Sequence, residues 1–355
     1  MTRRHITLLG CAVLLASTGI GAAAADATDP TTHLIGPGQS IQDAVDAARP
    51  GDTIQLAAGT YRQSVRITTP DLTLRGSGAD TVLRPAPGTA AAGSCAADGN
   101  GVCIEGTREA PVAGVSIRSL VLDGYPRNGL WAAWTDRLTV SGVASRSNGT
   151  WGIAQERSTR SLLTGNSVRD NGDAGLFVAN TVTEEAGATD TLGTRIQGNE
   201  MSGNRIGATV RRVRNLVVEA NAITGNCAGL FVVGDESTPR AGALTVRRNV
   251  VSANNRSCPA TARLPRIQGA GVVLTGTEDT LVESNTIRDN VGATPFSGGI
   301  VLFKSVVGVP GTDNVIRGNL VLGNSSADLA NRDTAGTGNQ FDANLCGTSE
   351  PAGLC

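Results

Sequence analysis

Two asparagines five residues apart recur through the second half of this chain, and that repeat restricts the fold more than any other feature. Each copy reads as an apolar residue, two others, Asn, one residue, an aliphatic residue and then a second Asn. The copies are Leu163-Asn166-Val168-Asn171, Ile196-Asn199-Met201-Asn204 and Val218-Asn221-Ile223-Asn226. They continue as Val246-Asn249-Val251-Asn254, Val282-Asn285-Ile287-Asn290 and Ile316-Asn319-Val321-Asn324, with degenerate versions at 117–125 and 140–148. Copies lie 22 to 36 residues apart, too close for separate domains and uneven because loops are inserted. Apolar and polar residues alternate with period two inside each copy, which is the pattern of a strand. A short strand closed at a fixed register by Asn or Gly must turn there, because those residues tolerate positive φ. Stacked asparagines would then hydrogen-bond from coil to coil, so they read as structural residues and not as catalysts.

A second column of strands opens with glycine: Gly129-Leu130-Trp131, Gly152-Ile153-Ala154, Gly175-Leu176-Phe177, Gly207-Ala208-Thr209, Gly229-Leu230-Phe231, Gly271-Val272-Val273 and Gly299-Ile300-Val301. The first and third residues after each glycine are aliphatic or small and point inward, so the second and fourth face out. The fold class that follows is all-β, a single-domain right-handed parallel β-helix whose coils stack about 4.8 Å apart. Such a solenoid needs capped ends. Ser40 reads as the N-cap of a short helix that carries Ile41, Ala44, Val45 and Ala48 on one face, a cap and first coil over 34–60. Regular coils are expected over 110–330 and a C-terminal cap over 331–355.

The N-terminus reads as a signal peptide over 1–27: Arg3 and Arg4, an apolar run at 6–20, then small residues at cleavage spacing. Cys11 sits too early in that run for a lipoprotein site. No later segment is apolar enough to span a bilayer, so the domain at 28–355 is expected to be secreted, with no membrane span and as a monomer. The balance of 30 Lys+Arg against 31 Asp+Glu gives no electrostatic reason for a nucleic-acid partner. Six cysteines remain after Cys11, and proximity suggests the disulfides Cys95–Cys103, Cys227–Cys258 and Cys346–Cys355. With His33 the only histidine outside the leader and no paired C-x-x-C, a zinc site is excluded.

The run Ser40-Ile41-Gln42-Asp43-Ala44-Val45, then Pro50-Gly51-Asp52-Thr53-Ile54, Gly59-Thr60-Tyr61 and Leu72-Thr73-Leu74-Arg75-Gly76, resembles the opening of the pectin-lyase-like superfamily. The later Gly and Asn repeats resemble the β-helix repeats of its secreted members. The resemblance implies the fold across nearly the whole chain. It implies less about activity, since the superfamily holds pectate and alginate lyases, polygalacturonases, mannuronan epimerases and phage tailspikes. Its better-known active-site patterns, Asp-Asp with Gly-His-Gly, Asp-Pro-His-Asp and Arg-x-Pro-x-x-Arg, are missing here.

A site must therefore be argued from placement. The outward stripe of the glycine-led strands carries Trp131, Phe177 and Phe231 at second positions, with Glu156, Arg211, Arg212 and Lys304 at or just beyond fourth positions. An apolar stripe facing solvent needs cover from loops or from a ligand. Sugar rings stack on aromatic faces, and Arg grips carboxylates with two prongs. Loops at 181–191, 235–243, 257–268 and 305–314 would wall a cleft. β-Elimination from a uronate needs a cation to neutralise the carboxylate and a base to take the C5 proton. Arg211 or Arg212 suits the first role; Glu156, Tyr125 or Lys304 suits the second. Hydrolysis would need a second acid from a loop, such as Asp136, Glu184 or Asp235. The bland alternatives are a stripe buried by loops and a surface ion pair between Glu156 and Arg211. No cofactor is required, although Glu184, Glu185, Asp190, Asp235, Glu236, Glu278, Asp279 and Asp313 gather on equivalent loops as hard oxygen ligands suited to calcium. The expected function is a polysaccharide lyase or epimerase acting on an acidic glycan. A non-catalytic glycan- or surface-binding solenoid, or a cyclase or isomerase for a small apolar metabolite, are the competing readings.

Overall fold

A computed structural model describes residues 29–184, 186–262 and 264–355; the expected leader, with Cys11, lies outside them, as does Glu185. Three parallel sheets of 12, 11 and 11 strands run the length of a right-handed solenoid. The repeat seen in the sequence is its register. Leu163, Ile196, Val218, Val246, Val282 and Ile316 pair in line on the first sheet. Val168, Met201, Ile223, Val251, Ile287 and Val321 do so on the second. The glycine-led strands form the third, with Leu176, Ala208, Leu230, Val272 and Ile300 in line and buried. Each large aliphatic side chain in these columns stabilises the fold by about 1.5–3 kcal/mol relative to exposure.

Two ladders of asparagine side chains stitch the coils together. In one, Asn166, Asn199, Asn221, Asn249, Asn285 and Asn319 each donate from Nδ2 to the Oδ1 of the next at 2.9 Å, the last of them to Asn344. The other runs Asn148, Asn171, Asn204, Asn226, Asn254, Asn290 and Asn324, and ends on Asp328. Asp328 suits the last rung: with no further asparagine to donate to, its Oδ2 accepts the N–H groups of Gly347 and Thr348 instead.

The turns differ from the expectation in one respect. The ladder asparagines do not take the positive φ themselves; the residue just before each one does. Arg248 (φ 54), Ala253 (50), Ser284 (55), Ala220 (53) and Gly165 (60) occupy that position. A left-handed conformation costs a non-glycine residue about 1–2 kcal/mol, and the buried asparagine that follows holds the turn in place.

The N-terminal cap is as expected. Helix Ile41–Ala47 begins at Ser40, whose side chain accepts the Asp43 N–H, and it buries Ile41 and Val45 against the open first coil. The C-terminal expectation is corrected. Residues 331–355 are no separate cap but a final coil, whose strands Gln340–Asp342, Leu345–Cys346 and Ser349–Glu350 each extend one of the three sheets. Coiling also starts before 110, with Thr53–Leu56, Gly59–Arg62 and Val65–Ile67 already in the three sheets. The three disulfides are those that proximity suggested.

Asp52 fastens the first turn. Its carboxylate accepts the N–H of Arg49 and of Thr31 and contacts His33, which lowers its pKa from 3.8 to about 2. A depressed carboxylate stabilises the fold above its unfolded pKa and ceases to do so as pH falls through its folded one. Stability is therefore expected to drop between about pH 4 and pH 2, and Asp52→Asn should flatten that part of a thermal-midpoint profile.

An inward position of the third sheet breaks the apolar pattern with a full amide side chain. Gln155 stands between Ala132 and Val178 on the third sheet, buried, with neither amide atom hydrogen-bonded. A buried amide without partners costs about 1–3 kcal/mol, so Gln155→Leu is expected to raise stability by about that amount. Urea denaturation reads it; a loss instead would show that the amide is satisfied.

Candidate functional site

The outward face of the third sheet carries two rows. The first contains Trp131, Ala154, Phe177, Thr209, Phe231, Val273 and Val301; the second contains Glu105, Ala133, Glu156, Ala179, Arg211, Val233, Thr275 and Phe303. Most of the first row is roofed. Phe177, Phe231, Val273 and Val301 are buried in a second apolar cluster outside the barrel, with Trp151, Ile206, Ile267 and Phe296. The Cys227–Cys258 bridge and the bond from Arg205 Nη1 to Pro259 O, 2.7 Å, hold Cys258 and Pro259 beside it, and Leu264 and Ile267 pack into the same cluster. Phe296 meets Phe231 and Phe303 edge-on at 5.2 and 5.0 Å. The expected long aromatic platform is thus corrected: Phe177 and Phe231 are packing residues, because loops cover the stripe from the middle of the solenoid onward. Trp131 stays half-buried at the open end, where Trp151 stacks between it and Phe177.

Glu156 lies beside that open end. Its Oε2 accepts the Val182 N–H at 3.3 Å, and its Oε1 is 3.7 Å from Arg157 Nε. Burial raises its pKa, against the pull of Arg157 and of the Val182 bond. Arg211 is two coils further along the same row, beyond Ala179. Its Nη1 reaches the carbonyls of Thr181 and Val182 at 3.4 Å, so the same dipeptide that caps Glu156 receives Arg211. The expected ion pair between Glu156 and Arg211 is replaced by this shared loop, and the ion pair Glu156 makes is with Arg157. Arg157 also binds Glu184 and lies over the Trp134 ring at 5.1 Å, with Arg108 at 5.8 Å.

Other expected residues are placed elsewhere. Arg212 is buried in an ion pair with Asp235, donates to the Glu184 carbonyl at 2.9 Å, and so anchors the loop. Tyr125 is inside the barrel, its hydroxyl donating to Gln63 O at 2.6 Å; burial pushes its pKa far up, which rules it out as the base. Lys304 follows Phe303, five coils from Glu156 in the row, roughly 24 Å away. Of the loop acids a hydrolase would need, Asp136 is gripped by Arg160 in a two-pronged contact at 2.7 Å and Asp235 by Arg212. Of the acids expected to suit calcium, Glu184, Asp235 and Glu278 are engaged by arginines, by Arg157, Arg212 and Arg214.

The residues that sequence reasoning passed over are Trp151, Phe296 and Arg108. Trp151 and Phe296 lie outside the strand positions where outward residues were sought. Yet in a chain only 3% aromatic, any Trp or Phe beside a glycine-led strand is itself a signal.

Residues 189–348 match the family model for the right-handed beta helix region, and residues 89–236 that for the periplasmic copper-binding protein NosD. No curated protein sequence matches the chain. Among solved structures, the A-module of Azotobacter vinelandii mannuronan C-5 epimerase AlgE4 is similar at 17% identity and TM-score 0.57, over 90% of this chain and 98% of that one. The periplasmic alginate epimerase AlgG gives 14% and 0.56, over 89% and 84%. The DFA-IIIase of Arthrobacter chlorophenolicus without its lid gives 16% and 0.58, over 88% and 83%. These likenesses bear on fold alone. Copper does not fit the residues present: the NosD-matched stretch contains no histidine, its cysteines are in disulfides, and Met201 is buried in the core. Asp98, Cys103 and Glu105 lie close together, but Cys103 is disulfide-bonded and Arg66 holds both carboxylates. By its repeats, its three sheets and these matches, the chain folds as a right-handed parallel β-helix.

Proposed function

We propose that this protein is an exported carbohydrate-active β-helix that acts on an acidic glycan at the Glu156 face, by lyase or epimerase chemistry. The observation that carries the reading is Glu156 itself. It is an outward carboxyl whose pKa burial raises, flanked by Arg157, with Arg211 on the same dipeptide and half-buried Trp131 and Trp134 alongside. A base with a raised pKa binds the abstracted proton more strongly. Glu184, 67% exposed on Arg157, marks where a substrate carboxylate would pair. With that carboxylate neutralised, ionised Glu156 takes the C5 proton. Expulsion of the C4 oxygen, which takes a proton from Glu156 or water as its bond to C4 breaks, then gives a C4=C5 double bond, whereas return of a proton from water on the opposite face inverts C5. Hydrolysis is less well supported, since Asp136 and Asp235 are held by Arg160 and Arg212. The glycan-acting names of the structural neighbours agree with the substrate class, and the three disulfides and basic leader agree with export.

A second reading has its own observation. The contacts of Glu156, Arg157, Arg211 and Arg212 with 181–184 also serve to hold that loop, which suits a surface that binds glycan without changing it. Incubation with polyuronates and with neutral polysaccharides, followed by mass spectrometry, separates the two. Unsaturated or epimerised products from polyuronates alone are expected; saturable binding with unchanged glycan would establish the second reading.

A further inference from the structure

Along the roofed stripe, spanning the second to the fifth coil beyond Glu156, a small cleft of about 70 Å³ remains open. Phe231, Phe296 and Phe303 line it with Ile206, Val233 and Leu264, and Lys304 stands at its mouth. The Phe296 ring is edge-on to both other phenylalanines, so the three present a fixed apolar cage. Two threonines, Thr209 and Thr275, are its only neutral polar lining. Lys304 is the one lysine in the sequence; it is exposed and makes no ion pair with a described residue. Arg211, Arg212 and Arg240, by contrast, lie on carboxylates or carbonyls.

We infer that this cleft is a second binding site, separate from the Glu156 face, for a small aromatic carboxylate. An apolar cavity of this kind holds water poorly, so an apolar ring entering it displaces weakly bound solvent. The volume is well below the range of about 300–1,000 Å³ usual for whole drug-sized ligands. It therefore admits one ring or short acyl group and leaves the rest of the ligand at the rim. There the ammonium of Lys304, a compact point charge on a flexible stem, meets a carboxylate attached to the ring. The same chemistry is presented by a free aromatic acid and by an aryl group carried on an acidic glycan.

The test uses benzoate, its neutral analogue benzamide, and an aryl-esterified polyuronate beside the unesterified chain, titrated by calorimetry into the full protein. Benzoate is expected to bind saturably and more tightly than benzamide. Lys304→Gln should weaken benzoate by about fivefold or more and leave benzamide unchanged, converting one ion contact into a neutral one. Thr209→Leu, which fills the cleft from its floor, should abolish both, with an unchanged thermal midpoint showing that the fold is intact. A gain from esterification that is lost in Thr209→Leu identifies the glycan-borne source; binding of benzoate without such a gain identifies the free acid. Absence of saturable binding by any probe, or benzoate affinity indifferent to Lys304→Gln, overturns the inference. Failure of this inference leaves the Glu156 reading standing, because Lys304 lies five coils from Glu156 and the Glu156→Gln assay does not depend on it.

Discussion

Asn226→Ala is expected to destabilise the protein by about 3–5 kcal/mol, among the largest effects open to a single substitution here. Asn226 is fully buried, and its Oδ1 accepts both the backbone N–H and the Nδ2 of Asn204, at 2.9 and 3.1 Å. Its own Nδ2 donates to Asn254 Oδ1 at 2.8 Å and to Met201 O at 3.1 Å. Alanine leaves two donors of the preceding coil and a carbonyl unpaired where water does not reach, each costing about 1–3 kcal/mol. Asn344→Ala supplies the comparison. It removes the end rung of the other ladder, where Asn319 loses the same acceptor but the site is half-exposed, so water substitutes and the loss should be near 1 kcal/mol. Urea denaturation of both variants against the parent reads the difference. Equal losses would mean that the backbone ladders, and not the asparagine column, bind the coils.

Glu156→Gln is expected to lower turnover of an acidic glycan at least about 100-fold, the lower end of what general acid–base groups contribute. Stability should not fall with it. Because burial raises the Glu156 pKa, the folded state favours the protonated form, and the carboxyl's contribution to stability declines as pH rises through that raised value. Glutamine keeps an oxygen for the Val182 N–H at 3.3 Å and carries no charge to desolvate. The activity of the parent should rise with pH through the same ionisation, since the base acts when deprotonated. A variant that loses activity and thermal midpoint together would point to loop anchoring as the role of Glu156.

The solenoid was legible because its determinants are local and repeated. The residues that stack, Leu163 on Ile196 on Val218, also keep a fixed distance from their asparagines, so register could be read along the chain. The inward and outward sides of the glycine-led strands followed from the same period. What escaped was set by insertions. Phe177 and Phe231 occupy outward strand positions as expected, yet Trp151 stacks on the first and Phe296 packs on the second, and nothing local to the strand says whether a distant segment folds back over it. Tyr125 followed the pattern of a strand end, but its ring turns into the barrel to reach Gln63 O, a contact 62 residues away. Arg212 looked like a free cation beside Arg211. The left-handed backbone at Arg212 (φ 53) is where the two neighbours diverge, Arg212 going to the buried Asp235 and Arg211 to the carbonyls of the loop above Glu156. Alternation alone does not foresee such a turn.

The most direct test of the Glu156 reading is deuterium exchange at C5 of a polyuronate incubated with the protein in heavy water, read by mass spectrometry. The parent is expected to incorporate deuterium or to release unsaturated fragments, and Glu156→Gln, at an unchanged thermal midpoint, to do neither. Exchange that survives in Glu156→Gln, or a parent that binds polyuronate and leaves every C5 proton in place, would contradict it.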